Sequence, residues 1–130
     1  NVPERVKEIT GGKGVSVVYD SIGKDTFEDS LDCLRPFGLM VSFGNASGPV
    51  DPFNIALLGP KGSLHVTRQT LATHTATREL LDECAGAVFD VVQGGQVKIN
   101  VNQTRPLAET VQAHIDLEGR KTTGSTVLLP

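Results

Sequence analysis

Three short apolar runs, each ending in a turn, constrain this chain more than any other feature. Val15-Ser16-Val17-Val18-Tyr19-Asp20 breaks at Ser21-Ile22-Gly23, and Leu39-Met40-Val41-Ser42-Phe43 breaks at Gly44-Asn45-Ala46-Ser47-Gly48-Pro49. Ser63-Leu64-His65-Val66-Thr67 is the third. Runs of this length, rich in β-branched residues and poor in polar alternation, read as strands of a parallel sheet buried on both faces. Between the first two, Phe27, Leu31 and Leu34 recur at steps of four and three, which predicts an amphipathic helix over residues 25–34. Arg35-Pro36-Phe37-Gly38 stops that helix and turns the chain. Strand, helix, strand, glycine turn is the rhythm of an α/β doubly wound sheet, and the three strands are expected side by side and parallel.

The flanking segments fit the same class. Pro3-Glu4 suits a helix first turn, and Val6 with Ile9 gives it an apolar step before Gly11-Gly12 closes it. Residues 51–58 are expected to hold a short helix. The longest helix carries Leu80, Leu81, Cys84, Ala87, Val88, Val91 and Val92 on one stripe and stops at Gly94-Gly95. Val97, Ile99 and Val101 then alternate with Lys98, Asn100 and Asn102, which predicts a half-exposed strand outside the parallel sheet. A last helix bears Leu107, Val111 and Ile115, with Gly119 as its cap, and residues 125–129 close as a strand.

Composition excludes several classes of function. A net charge of −3 with scattered Lys and Arg offers no basic face for nucleic acid, and 5% aromatic residues are too few for base-stacking platforms. No apolar run approaches the roughly 20 residues that span a bilayer. Cys33 and Cys84 stand alone and read as reduced, packed thiols, which fits a cytoplasmic protein. His65, His74 and His114 do not combine with them in any metal-ligand spacing, and no Gly-x-Ser-x-Gly elbow marks a serine hydrolase. His114 is read as a packed or surface residue.

Val17-Val18-Tyr19-Asp20-Ser21-Ile22-Gly23, Ser30-Leu31-Asp32-Cys33-Leu34 and Gly38-Leu39-Met40-Val41-Ser42-Phe43-Gly44-Asn45 resemble one family closely. It is the zinc-free, NADPH-dependent quinone oxidoreductases of the medium-chain dehydrogenase/reductase superfamily, the ζ-crystallin-like group. Lys61-Gly62-Ser63-Leu64-His65-Val66-Thr67-Arg68 and the ending Gly124-Ser125-Thr126-Val127-Leu128-Leu129-Pro130 continue the match, so that it covers essentially the whole chain in order. The resemblance implies a carboxyl-terminal fragment of a two-domain enzyme. Residues 1–95 would be the second half of a Rossmann-type NADP-binding domain, and residues 96–130 would return to a GroES-like catalytic domain. No Gly-x-Gly-x-x-Gly phosphate turn follows any strand here, and in such folds it belongs to the first half. The fragment alone is therefore expected to be inactive.

Candidate cofactor residues follow from strand ends and from the resemblance together. In open α/β sheets ligands gather at the carboxyl ends of the strands. Ser21, Ile22 and Gly23 occupy the first such end, and a tight turn explains them equally well. Phe43, Gly44, Asn45 and Ala46 occupy the second. Gly44 there admits two readings, a close backbone approach to the nicotinamide or a plain left-handed turn. Arg68, Gln69, Thr70 and Leu71 follow the third strand, where the resemblance implies backbone contacts to the nicotinamide carboxamide; Arg68 reads equally as a solvated charge. Arg120, after the last helix, matches an arginine that in the family approaches the cofactor from the catalytic side, whereas Lys121 reads as solvent-exposed.

The resemblance implies hydride transfer from NADPH to a small-molecule quinone with no catalytic nucleophile and no metal, so that positioning does most of the catalysis. It also implies a homodimer that continues the sheet through the edge strand at residues 64–67. Two other functions remain open from the sequence: another zinc-free medium-chain reductase such as an enoyl reductase, and a non-catalytic dimerisation or binding module.

Overall fold

The structure, a computed structural model, describes all 130 residues, Asn1–Pro130. They form two compact units, Asn1–His74 and Thr75–Pro130.

In the first unit, α1 (Val2–Ile9) starts where the Asn1 side-chain oxygen accepts the Glu4 N–H at 3.2 Å, and Pro3 fills the first turn, where no N–H is needed. β1 (Val15–Asp20), α2 (Phe27–Asp32), β2 (Leu34–Ser42) and β3 (His65–Arg68) follow. β2 lies in the middle with β1 and β3 parallel on either side, as expected. Val17 pairs with Leu39 and Tyr19 with Val41; Leu39 pairs in turn with His65 and Val41 with Thr67. One core joins these elements: Phe27, Leu31, Leu34, Met40 and Leu64 are buried together, with Val15, Val18, Val50, Leu57, Leu58 and Val66 packed around them. The Phe27 and Phe53 rings meet at 4.7 Å, tilted by 47°.

Local details depart from the sequence reading, each for a physical reason. α2 is shorter than residues 25–34, because Leu34 already pairs with Val15 as the first residue of β2. Val15 pairs with Leu34 while Val17 pairs with Leu39, so Arg35, Pro36, Phe37 and Gly38 loop out of the ladder as the expected turn. Phe37 sits there in a left-handed conformation at φ 62°. β1 is not buried on both faces: Val15 and Val18 join the core, but Val17 and Tyr19 point the other way and are exposed. β1 is an edge strand, and only the middle strand gains cover on both sides; Met40, Val41 and Ser42 are all buried. Residues 51–58 form only a 3₁₀ turn, Ile55–Leu58, capped by the Asn54 side chain. β3 begins at His65, two residues after the expected start at Ser63, and Leu64 serves the core ahead of it. α3 (Leu71–His74), a single turn, was not foreseen.

In the second unit, α4 (Arg78–Gln93) is the longest helix, with Thr77 accepting the Leu80 N–H. β4 (Val101–Pro106) and β5 (Ser125–Leu129) pair with each other in a separate two-stranded parallel sheet. A 3₁₀ turn, Leu107–Glu109, leads into α5 (Thr110–Glu118), whose carboxyl cap is Gly119. The alternating segment 97–101 is not the strand itself. β4 starts where that segment ends and runs through polar residues, because the Gln103 side chain donates to the Thr123 carbonyl at 2.8 Å and secures the pairing with β5.

Candidate functional site

The three parallel strands deliver their carboxyl ends to one edge, and eleven of the twelve candidate residues meet there. The turns after β1 and β2 interlock. The Phe43 N–H donates to the Asp20 carbonyl at 2.8 Å, Ala46 N–H to Ser21 at 3.1 Å, Ser47 N–H to Ile22 at 2.8 Å and Lys24 N–H to Gly48 at 3.1 Å. The Ser47 hydroxyl donates to the same Ile22 carbonyl at 2.9 Å and accepts the Asp25 N–H at 3.0 Å. β3 joins through the Gln69 N–H, which donates to the Ser42 carbonyl at 3.0 Å.

Glycine is needed in this interlock for contact between loops. A Cβ on Gly44 would lie 2.4 Å from the Ser21 carbonyl oxygen, and one on Gly23 would lie 2.6 Å from that of Gly48. Gly23 also holds φ at 92°. Gly44 is not left-handed, so the plain-turn reading of it is corrected: its missing side chain lets the backbone of Ser21 approach.

Arg68 is not a free surface charge. Its guanidinium donates to the Ser42 hydroxyl and the Gly44 carbonyl, both at 3.3 Å. With that carbonyl turned toward Arg68, the N–H of Asn45 across the same trans peptide points the opposite way. Neither the Gly44 nor the Asn45 N–H is matched by an acceptor within the chain. Ile22 and Phe43 in the two interlocked turns are exposed, and Leu71, also exposed, opens α3 after Thr70. Gln69 is held from two sides, its amide donating to Thr67 and its oxygen meeting the His74 ring at 2.9 Å. A hollow of about 250 Å³ opens beside Asn45 and Arg68, walled by Phe27, Val50, Phe53 and Val66. A second, of about 320 Å³, runs along α1 and β1 to Ser21 and Ile22, with Cys33 at its wall. Arg120 belongs to the second unit, where it is exposed and left-handed at φ 55°.

Sequence reasoning passed over the residue beneath this edge. The Asp20 side chain is buried, and one oxygen accepts the N–H groups of Ile22 at 2.8 Å and Gly23 at 2.9 Å. The other accepts the hydroxyls of Thr26 at 2.8 Å and Ser30 at 2.6 Å. Burial pushes its carboxyl pKa up, but the bonds from Ser30, Gly23, Thr26 and Ile22 outweigh it and hold the pKa below the ordinary value. The available signal was an aspartate closing an apolar strand, with Thr and Ser six and ten residues on. Burial, reinforced by Asp29 and Asp32 against a smaller opposing effect of Lys7, pushes the Cys33 thiol up, so it stays protonated and inert. Neither cysteine is in a disulfide. No three His, Cys, Asp or Glu side chains converge as a metal would need, and no helix is long and apolar enough to cross a membrane.

Known proteins share this fold. A family model described as "Zinc-binding dehydrogenase" matches residues 2–128. The chain belongs to the zinc-binding dehydrogenase family. Within that family it is 55% identical over 130 residues to a quinone oxidoreductase of Pseudomonas aeruginosa, covering 100% of this chain and 40% of that protein. It is 51% identical over 128 residues to a 2-haloacrylate reductase of Burkholderia, covering 98% of this chain and 38% of the relative. A crystal structure of Escherichia coli quinone oxidoreductase complexed with NADPH superposes with a TM-score of 0.89 at 51% identity, over 100% of this chain and 40% of that one. The chain thus spans about two-fifths of the length of the relatives it matches. Family membership bears out the resemblance to quinone oxidoreductases and the α/β reading.

Proposed function

We propose that these residues are the nicotinamide-side half of the cofactor domain of an NADPH-dependent quinone reductase. The observation that carries this reading is the pair of unmatched donors, Gly44 and Asn45 N–H, at the shared carboxyl edge of three parallel strands, where Ile22, Phe43 and Leu71 are exposed. Such an edge suits a flat, partly polar ring: the apolar side chains take its face and the backbone donors take its carboxamide oxygen. Bound there, the nicotinamide supplies hydride, so that NADPH, a proton and a quinone yield NADP⁺ and a hydroquinone. Ser21, Ile22, Gly23, Phe43, Ala46, Arg68, Gln69, Thr70 and Leu71 shape the edge, and Arg120, in the second unit, is the remaining cofactor-binding candidate. The domain boundary lies near Gly95, zinc takes no part, and the protein is cytoplasmic, which two cysteines outside any disulfide support. The protein pairs as a C2 dimer through β3, an edge strand without Pro, Lys or Glu to block pairing. The 2-haloacrylate reductase relative supports a second reading, reduction of an activated carbon–carbon double bond, on the same edge.

Titrating NADPH and reduced nicotinamide mononucleotide into the 130-residue chain, followed through backbone amide shifts, tests the site. Without a glycine-rich phosphate turn the chain forgoes charge-assisted bonds of about 1.5–3 kcal/mol each. Both ligands are therefore expected to bind weakly, with similar affinity, and to shift Gly23, Gly44 and Asn45. Low-micromolar binding of NADPH would overturn this account of the contacts, and unshifted edge amides would overturn the site.

A further inference from the structure

We propose that Asp20 is the positioning residue of the nicotinamide edge; the inference rests on the site reading above. The geometry makes one carboxylate the foundation of two loops. Its four bonds fold the turn 21–23 back over the strand end and tie it to Thr26 and Ser30 at the start of α2. That turn then offers the Ser21 and Ile22 carbonyls, and these are the acceptors that hold the N–H groups of Ala46 and Ser47. With Ala46 and Ser47 engaged and Gly44 seated against the Ser21 backbone, the two donors left over are those of Gly44 and Asn45. Asp20 touches none of residues 43–47 through its side chain, yet every bond from its turn to residues 46 and 47 depends on where it holds that turn.

The order of substitutions follows from hydrogen-bond chemistry. Asn at this position keeps an oxygen for the two backbone N–H groups, and its amide can donate to the Thr26 and Ser30 hydroxyls, which reverse their roles. Ala removes the acceptor of all four donors, and only the Thr26 hydroxyl keeps another, the Gly23 carbonyl at 3.5 Å. Hydrogen exchange on the 130-residue chain is therefore expected to show about tenfold less protection at Ala46 and Ser47 in Asp20→Ala. Amides of the β1–β2 ladder stay protected, and Asp20→Asn stays close to wild type. NADPH affinity, read from the amide shifts of Gly44 and Asn45, is expected to fall about fivefold or more in Asp20→Ala and to be restored in Asp20→Asn. Should Asp20→Ala fail to fold, Ser30→Ala removes one donor and leaves the carboxylate in place, and a loss in the same direction of about twofold is expected. Unchanged protection at Ala46 and Ser47, or equal NADPH affinity in wild type and the Ala variants, overturns the role of Asp20 and leaves the site intact. A wild type whose edge amides ignore NADPH at millimolar concentration overturns the site and this role with it.

Discussion

The two units solve the problem of holding a chain together in opposite ways. The first has a dry centre in which Leu31 and Met40 are fully enclosed, and its polar bonding is concentrated at one edge of the sheet. The second buries no apolar side chain. Its only buried residue is Asp116, which accepts from Arg105 at 2.5 Å and from the Gln112 amide at 2.9 Å, while Arg105 also meets Glu109 at 3.0 Å. Leu80, Leu81, Val88 and Phe89 on α4, and Val111, Ile115 and Leu117 on α5, are exposed. A local core lets the first unit place backbone donors firmly. A polar knot sets the course of β4 and α5 but supplies little hydrophobic stabilisation, roughly 25 cal/mol for each Å² of apolar surface buried.

The largest expected effect tests whether that contrast is real. Leu31→Ala should cost the first unit about 2–5 kcal/mol in a urea titration read from individual amides. Ile115→Ala, half exposed in the second, should cost less than about 1 kcal/mol. Similar losses at the two positions would erase the distinction. Gly44→Ala should cost about 1–3 kcal/mol, because the new methyl meets the Ser21 backbone and not a yielding side chain. Its amide shifts should spread through residues 20–23. Asp116→Ala should cost about 1–2 kcal/mol and remain confined to β4 and α5, since Arg105 is partly exposed and keeps Glu109.

The smallest effect sharpens the comparison by pH. The Asp20 pKa is lowered on folding, so its contribution is complete above the ordinary carboxylate value of about 4. That contribution is lost only as pH falls through the lower folded value. The Ile22 and Gly23 amide signals should titrate with a midpoint below about 4, and a midpoint above it would contradict the bonding at that carboxylate.

Much of this was legible in the sequence, for reasons that also mark its limits. Val17-Val18-Tyr19, Met40-Val41 and His65-Val66-Thr67 announce strands because β-branched and apolar runs suit a pleated sheet, and their order and parallel sense follow from the helical segments between them. The same runs cannot say which strand lies at an edge, so Val17 and Tyr19 were expected inside and lie outside. β4 escaped because Asn102-Gln103-Thr104-Arg105 carries no apolar pattern; its pairing rests on bonds from the Gln103 side-chain amide to residues twenty or more positions away. At the site, the turn glycines were visible, but the partner of Gly44 was not, since its neighbour Ser21 arrives from another strand end. Asp20 was hidden for the same reason: only the folded turn gathers its four donors.

The central claim is that the strand edge built on Asp20, Gly44 and Arg68 holds the nicotinamide half of NADPH. Nuclear Overhauser contacts between the cofactor and the 130-residue chain test it most directly. Contacts from the nicotinamide ring protons to the Gly44 and Asn45 amides and to the Ile22 side chain, with none from the adenine protons, are the predicted result. Adenine contacts at those residues, or nicotinamide contacts confined to other parts of the chain, would contradict it.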